Sequence, residues 1–163
     1  LRVERAQRTA DLIARTLGSE LAPVIEGLVT DAVLRVGDSI ITHRRRTAMG
    51  TGPADGLESV LELLVQDAQN PRSLRFQLDR LVADLELIGG GTTIPDAVAT
   101  LRDRVKAMDA AELSEQPAEL ASFVGTLSTE LRSVNDAIEQ AYFVRQARRR
   151  ALLPSWSTPW QVV

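Results

Sequence analysis

Residues 70–88 read NPRSLRFQLDRLVADLELI, and this stretch decides the fold because it shows where a helix begins, which face it buries and where it ends. Asn70 predicts an N-cap for the free backbone N–H groups, and Pro71 suits a first turn, where its missing N–H costs nothing. Glycine at 89–91 predicts the end of the helix. Apolar residues recur every three or four positions, which excludes a strand and predicts one buried stripe: Leu74, Leu78, Leu81, Leu85 and Ile88.

The same spacing recurs along most of the chain and predicts an all-α fold of about six helices with no strand. Besides the helix at 70–88, we predict helices at 1–17, 23–45, 57–68, 94–108 and 117–150. The spacing averages about 3.5 residues, which favours an antiparallel helical bundle with short connections. In the second predicted helix, the residues expected to face inward are Ile25, Val29, Ala32, Val36 and Ile40. We therefore predict one bundle domain over 1–151, with a connector at 109–116.

The segment 152–163 contains two prolines and two tryptophans and is predicted to be an irregular tail. Trp156 and Trp160 either fold back on the bundle, which we favour, or anchor a partner.

Composition excludes several function classes. The net charge of −3, with 19 basic residues against 22 acidic ones, argues against a dedicated nucleic-acid binder, which usually carries a basic face. No run approaches the roughly 20 apolar residues of a membrane helix, and the absence of cysteine excludes disulfides and thiolate metal sites. We therefore expect a soluble, cytoplasmic protein that binds neither nucleic acid nor membrane. A helical pattern is already running at Leu1, so we expect a fragment of a longer protein.

Chemistry-bearing motifs are scarce. His43 is the only histidine, whereas a carboxylate-bridged metal pair in a bundle needs Glu-x-x-His on two helices. The glycines at 89–91 lack the lysine of a phosphate-binding loop, and there is no Gly-x-Ser-x-Gly elbow. We therefore predict no catalytic residue, no metal and no cofactor, and we expect the histidine to be solvated or beside arginine. The arginines at 44–46 and 145–150 fit helix C-termini, where cations stabilise exposed carbonyls.

Three segments resemble landmarks of the bacterial alpha-E family, named for a Glu-Arg signature. They are Val3-Glu4-Arg5-Ala6 with the residues that follow it, the run from Asn70 to Leu81, and Glu139-Gln-Ala-Tyr-Phe143. The resemblance implies an all-helical domain about twice this long with a Glu-Arg helix in each half, of which this chain would be the second half. It also implies two partners: a circularly permuted ATP-grasp domain, fused or separate, and a transglutaminase-like peptidase.

Carried onto this sequence, the resemblance marks a set of binding residues: Glu4, Arg5, Arg8, Ser73, Gln77, Arg80 and Tyr142. Asn70, Pro71 and Phe143 belong to the same landmarks, but the first two are also explained as a helix start. Arg5 and Arg80 could act as forks for a carboxylate, for example of an acidic peptide. A structural ion pair is the reading we prefer over a ligand site.

The preferred functional hypothesis is a non-catalytic helical module that scaffolds or presents substrate to an ATP-grasp enzyme of peptide synthesis or tagging. It combines the missing catalytic residues with the context that the resemblance implies; the parent protein would then include the ligase. One alternative is a helical enzyme or an acidic-peptide site built around Glu4, Arg5 and Arg80. A second alternative is an oligomerisation module, since a half-domain with apolar surface left over tends to pair with itself.

Overall fold

The computed structural model describes residues 2–51, 56–89 and 93–143, and all regular secondary structure in these ranges is helical. The predicted all-α fold class is therefore confirmed. Eight α-helices occur in the described ranges: α1 Arg2–Thr16, α2 Pro23–Val36, α3 Ile40–Met49, α4 Leu57–Leu61, α5 Leu74–Ile88, α6 Ile94–Ala107, α7 Ala110–Glu115 and α8 Pro117–Ile138. Two of them continue as π-helical turns, α4 into Glu62–Gln66 and α8 into Glu139–Phe143.

The core lies between α1, α5, α6 and α8, together with the buried residues of α4 and of the π-helical turn that follows it. Leu78 and Leu131 are almost fully buried, as the spacing predicts for α5 and α8. Contacts along the helices show how α1 runs against its neighbours. Asp11 accepts from Arg132 on α8, whereas Gly18, seven residues later, lies against Ala121, so the two helices run in opposite directions.

The central helix begins three residues later than its sequence suggests. Its N-cap is Ser73, whose Oγ accepts from Phe76 N at 3.0 Å. Asn70, predicted to be the cap, is instead buried, and its Nδ2 donates to Leu63 O at 2.9 Å and to Ser39 Oγ at 3.1 Å. This amide ties together three separate segments. The predicted stop is correct, since Gly89 follows the helix with a φ of 69°.

The single helix predicted over 23–45 is two helices, α2 and α3. The chain turns at residues 37–39, where Asp38 adopts a φ of 49° and Ser39 N donates to Leu34 O at 2.8 Å. Gly37 packs closely in this turn, since an added Cβ would lie 3.1 Å from Val33 O and 3.3 Å from the Leu64 side chain. The apolar spacing continues across this turn, which explains why the sequence predicts one helix.

The inward face predicted for this region is wrong at three of its five positions, whereas Val29 and Ile40 are partly buried against the core. Ile25, Ala32 and Val36 are exposed, and the buried residues of α2 are Val33 and Leu34, with Thr30. The cause is composition, because α2 carries apolar residues around most of its circumference and periodicity then selects the wrong side.

Other boundaries differ in detail. The predicted connector at 109–116 contains α7, which is capped by the Asp109 side chain accepting from Glu112 N at 3.0 Å. Ile88, predicted to be inward, is exposed. The described part of the last helix ends at Phe143, so the arginines at 145–150 and the tail with Trp156 and Trp160 lie outside the described residues. None of the described helices is long and apolar enough to span a membrane.

Candidate functional site

The Glu-Arg residues lie on a helix pair formed by α1 and α5. Two contacts set the register of this pair: Arg2 pairs with Asp84, and Thr9 Oγ1 donates to Arg72 O at 3.2 Å. Residue numbers rise along α1 as they fall along α5, so the two helices are antiparallel here. On its core side, α1 buries four small or branched residues: Val3, Ala6, Ala10 and Ile13.

Glu4, Arg5 and Arg8 are all exposed, on the side of α1 opposite its buried stripe. Arg80 is exposed on α5. Arg5 lies about one turn after Arg2, and Arg80 lies about one turn before Asp84, so the Arg2–Asp84 contact places Arg5 and Arg80 at the same level of the helix pair. The two arginines that the resemblance marks as carboxylate forks therefore lie at one level of this helix pair. We call Glu4, Arg5, Arg8 and Arg80 the Glu-Arg face.

Arg80 is positioned by its neighbour on the same helix. Its guanidinium carbon lies 5.4 Å from the centroid of the Phe76 ring, four residues earlier. A guanidinium stacked on an aromatic face keeps its N–H donors free at its edges and loses little further freedom when it binds. Phe76 is therefore a supporting residue that the sequence did not single out.

Ser73 and Gln77 have structural partners. Ser73 caps α5 and also donates to Asp67 O. Gln77 is only 2% exposed and lies two turns before Asp84, on the same side of α5, which is the side that meets α1. Its Nε2 donates to Pro71 O, but its Oε1 is buried with no hydrogen-bond partner. Both residues are buried and therefore do not belong to the exposed Glu-Arg face.

Tyr142 belongs to a different part of the molecule. Its hydroxyl donates to Gly89 O at 3.1 Å, so it holds the turn after α5. Gly89 is nine residues from Arg80, or roughly 14 Å along the helix axis. Tyr142 is therefore separated from the Glu-Arg face.

A cavity of about 650 Å³ lies between α2 and α3, beside the start of α4, and the sequence does not predict it. Its polar lining carries both charge signs, with Glu26, Asp31, His43 and Arg44. A hydrogen bond from Arg35, 2.7 Å long, holds the pKa of the Asp31 carboxyl below its ordinary value. No sequence signal marked this cavity, because its walls come from two helices that were predicted to be one.

His43 is buried in the wall of this cavity, so of the two predicted alternatives the solvated histidine is wrong, whereas Arg44 does line the same cavity. The Nε2 of His43 is buried without a hydrogen-bond partner. Among the described residues, no group of three His, Cys, Asp or Glu side chains is arranged to hold a metal ion.

An all-helical core that displays an adjacent glutamate and arginine on the outside of its first helix defines a helical domain with a surface Glu-Arg motif. The chain belongs to the Alpha-E family, whose model, described as a predicted alpha-helical domain with a conserved ER motif, matches residues 1–143. Uncharacterised proteins of Mycobacterium bovis and of two strains of Mycobacterium tuberculosis are each 34% identical to it over 145 residues. That match covers 84% of this chain and 16% of each relative, so the chain spans about a sixth of their length. No solved structure matches the chain.

Proposed function

We propose that this domain is a non-catalytic helical module that scaffolds or presents substrate to an ATP-grasp enzyme that forms amide bonds. The observation that carries the proposal is the placement of Glu4 and Arg5 on the exposed side of a well-anchored helix. An exposed face suits a partner or an extended peptide, whereas chemistry on a substrate needs a concave site that limits water. The three cavities described for residues 2–51, 56–89 and 93–143 are lined by other residues than Glu4, Arg5 and Arg80.

The charge of the Glu-Arg face supports a partner or substrate that carries carboxylates. Arg5, Arg8 and Arg80 present planar guanidinium groups, which bind carboxylates through two parallel hydrogen bonds. Arg5 and Arg80 lie at the same level of the helix pair, so one acidic segment could contact both. The helix that carries Glu4, Arg5 and Arg8 is held by buried apolar residues, so its backbone is already in place before a partner binds.

The partner class comes from the family resemblance. The relatives are about six times as long as the matched segment, which leaves room in those proteins for additional domains. We propose an ATP-grasp domain as the enzymatic partner, in the same protein or in a separate one, with a transglutaminase-like peptidase acting on the same product.

The test is to mix the purified chain with the ATP-grasp protein and to measure binding by calorimetry and ATP turnover as ADP release. We expect a complex and a severalfold change in turnover. Arg5→Ala should weaken binding by about tenfold or more, because one charge-assisted interaction is worth about 1.5–3 kcal/mol. Arg15→Ala is the matched control, since Arg15 is exposed on the same helix about three turns away.

The proposal is wrong if the chain neither binds the ATP-grasp protein nor alters its turnover. It is also wrong if Arg5→Ala and Arg15→Ala weaken binding equally, because a nonspecific charge effect would explain that result.

A second candidate function, acidic-peptide binding by the Glu-Arg face alone, is favoured by the common level of Arg5 and Arg80. A fluorescent glutamate-rich peptide would bind the isolated chain and would lose affinity in the double variant Arg5→Ala/Arg80→Ala. Binding that survives this double variant would exclude the candidate.

A further inference from the structure

The outer face of α2 is apolar although it is exposed. Val24, Leu28, Ala32 and Val36 are spaced by four residues and all four are exposed; Leu28 is 65% and Val36 is 70% exposed. Ile25 lies beside them, and at about 100° per residue all five fall within roughly one third of the helix circumference. We call these five residues the outer stripe of α2.

The same helix also buries its opposite side. Val33 and Leu34 are each 2% exposed and contribute to the core of the domain. A surface helix of a globular domain normally has one apolar face and one polar face, whereas a helix that is apolar on both sides is usually covered on both sides. The outer stripe therefore has the composition of an interface.

We infer that the outer stripe of α2 is the interface of a symmetric homodimer, in which α2 of one chain packs against α2 of a second copy. This inference goes beyond the proposed function, because it concerns another face of the molecule. Arg35 falls on the same arc of the helix, near its C-terminal end, and pairs with Asp31 at 2.7 Å, so the dimer would include this ion pair away from the centre at Leu28.

The area of the stripe is sufficient for such a dimer. Its five side chains expose on the order of 500 Å² per chain, so two copies would bury about 1,000 Å², the lower limit for a specific interface. A patch of this size is comparable to the largest apolar patch of a typical monomer, and such patches are often interaction sites.

The spacing of the stripe also fits helix pairing across a two-fold axis. Ridges of residues four apart on both helices interdigitate at a crossing angle near −50°. A two-fold axis brings the same patch of each copy together, so an apolar ridge meets an identical apolar ridge and no charge opposes its own sign at the centre. Ala32 is small and lies inside the stripe, which lets the two backbones approach closely.

The first test is the mass of the full chain by light scattering from about 1 to about 500 µM, a range that brackets interfaces of this size. We expect a dimer in the upper part of the range. Leu28→Asp places two carboxylates in the apolar interface and should raise the dissociation constant by more than about 100-fold. Leu87→Asp is the matched control: Leu87 is 86% exposed on α5, outside the stripe, and the variant should stay dimeric.

A second test does not depend on a destabilising charge. Because the chain has no cysteine, Ala32→Cys introduces a single thiol that should form a disulfide-linked dimer under mild oxidation. Leu87→Cys should stay largely monomeric under the same conditions. A wild-type chain that is monomeric throughout the concentration range would overturn the inference. So would a dimer that Leu28→Asp leaves intact, or equal cross-linking of the two cysteine variants.

Discussion

Replacing Asn70 by alanine tests how the π-helical segment, the α2–α3 turn and the start of α5 are held together. The buried amide makes three hydrogen bonds: Nδ2 donates to Leu63 O at 2.9 Å and to Ser39 Oγ at 3.1 Å, and Oδ1 accepts from Arg72 N at 3.1 Å. Asn70→Ala leaves these partners without the amide in a buried site. Since each such loss costs about 1–3 kcal/mol and the three are not fully additive, we expect about 2–4 kcal/mol of lost stability.

The measurement is urea unfolding followed by circular dichroism, with the melting temperature as a second readout. For a chain of this length, the loss corresponds to a decrease in Tm of roughly 5–12 °C. Gln69→Ala is the control, because Gln69 is exposed and only its backbone N–H bonds to Asp67, which alanine preserves. A loss below about 0.5 kcal/mol for Asn70→Ala, or one equal to that of the control, would refute the proposed tie.

Asn70→Asp separates a tertiary tie from a simple turn. Aspartate keeps the acceptor for Arg72 N but loses both donations and places a carboxylate next to Leu63 O. If the residue served only the local turn, this variant would be close to wild type. We expect it to be at least as unstable as Asn70→Ala at neutral pH.

Three further predictions concern a pair of glycines, a glutamate and an arginine. Gly18→Ala should destabilise the fold by about 1–3 kcal/mol, since an added Cβ would lie 2.8 Å from a side chain of α8, whereas Gly27→Ala, which meets no atom within 4 Å, should stabilise it by about 0.5–1 kcal/mol in thermal melts. Burial raises the pKa of Glu62, so the folded chain holds this proton more tightly than the unfolded chain and loses stability as pH rises through that pKa; Glu62→Gln should therefore melt higher than wild type at pH 7 and lose the advantage below about pH 4. Arg46→Ala should cost about 2 kcal/mol in urea unfolding, because it leaves Asp67, whose side chain is 8% exposed, without its cation at 2.7 Å; a silent variant would show that the pair is only a surface contact.

The parts of the fold that the sequence predicts correctly are helices with one clearly apolar side. In α5 and α8 the spacing of leucines leaves a single choice of inward face, so Leu78 and Leu131 are buried as expected. Helix caps are harder to predict, since Asn70 and Ser73 are both good N-cap residues and lie three positions apart. Only the tertiary contact with Leu63 and Ser39 removes Asn70 from the cap position.

The candidate site could also be predicted only in part. The sequence identifies Arg5 and Arg80 by resemblance. Arg80 lies on α5, where the predicted inward leucines are buried, and the common level of the two arginines follows from the contact between Arg2 and Asp84. Phe76 was missed because a stacking partner four residues away is also a plausible core residue. The cavity at His43 was missed because its walls include α2 and α3, which are separated by the turn at 37–39. The sequence of this turn has no proline, so one continuous helix was predicted there.

The inward face of α2 was predicted incorrectly because this helix is apolar on two sides. The four-residue stripe of Val24, Leu28, Ala32 and Val36 has the pattern of a core helix, and Val33 with Leu34 already occupies the core of this chain. A sequence that maintains both sets carries more apolar surface than one domain can bury, and exposed apolar surface of this extent favours association or aggregation. Three residues of the outer stripe, Ile25, Ala32 and Val36, are ones that periodicity predicts to be inward, which is consistent with a helix that is buried on both sides once a second copy covers it. Leu28→Asp distinguishes this arrangement from a chance pattern, because a stripe without an occupant would tolerate the charge with no change in mass or solubility.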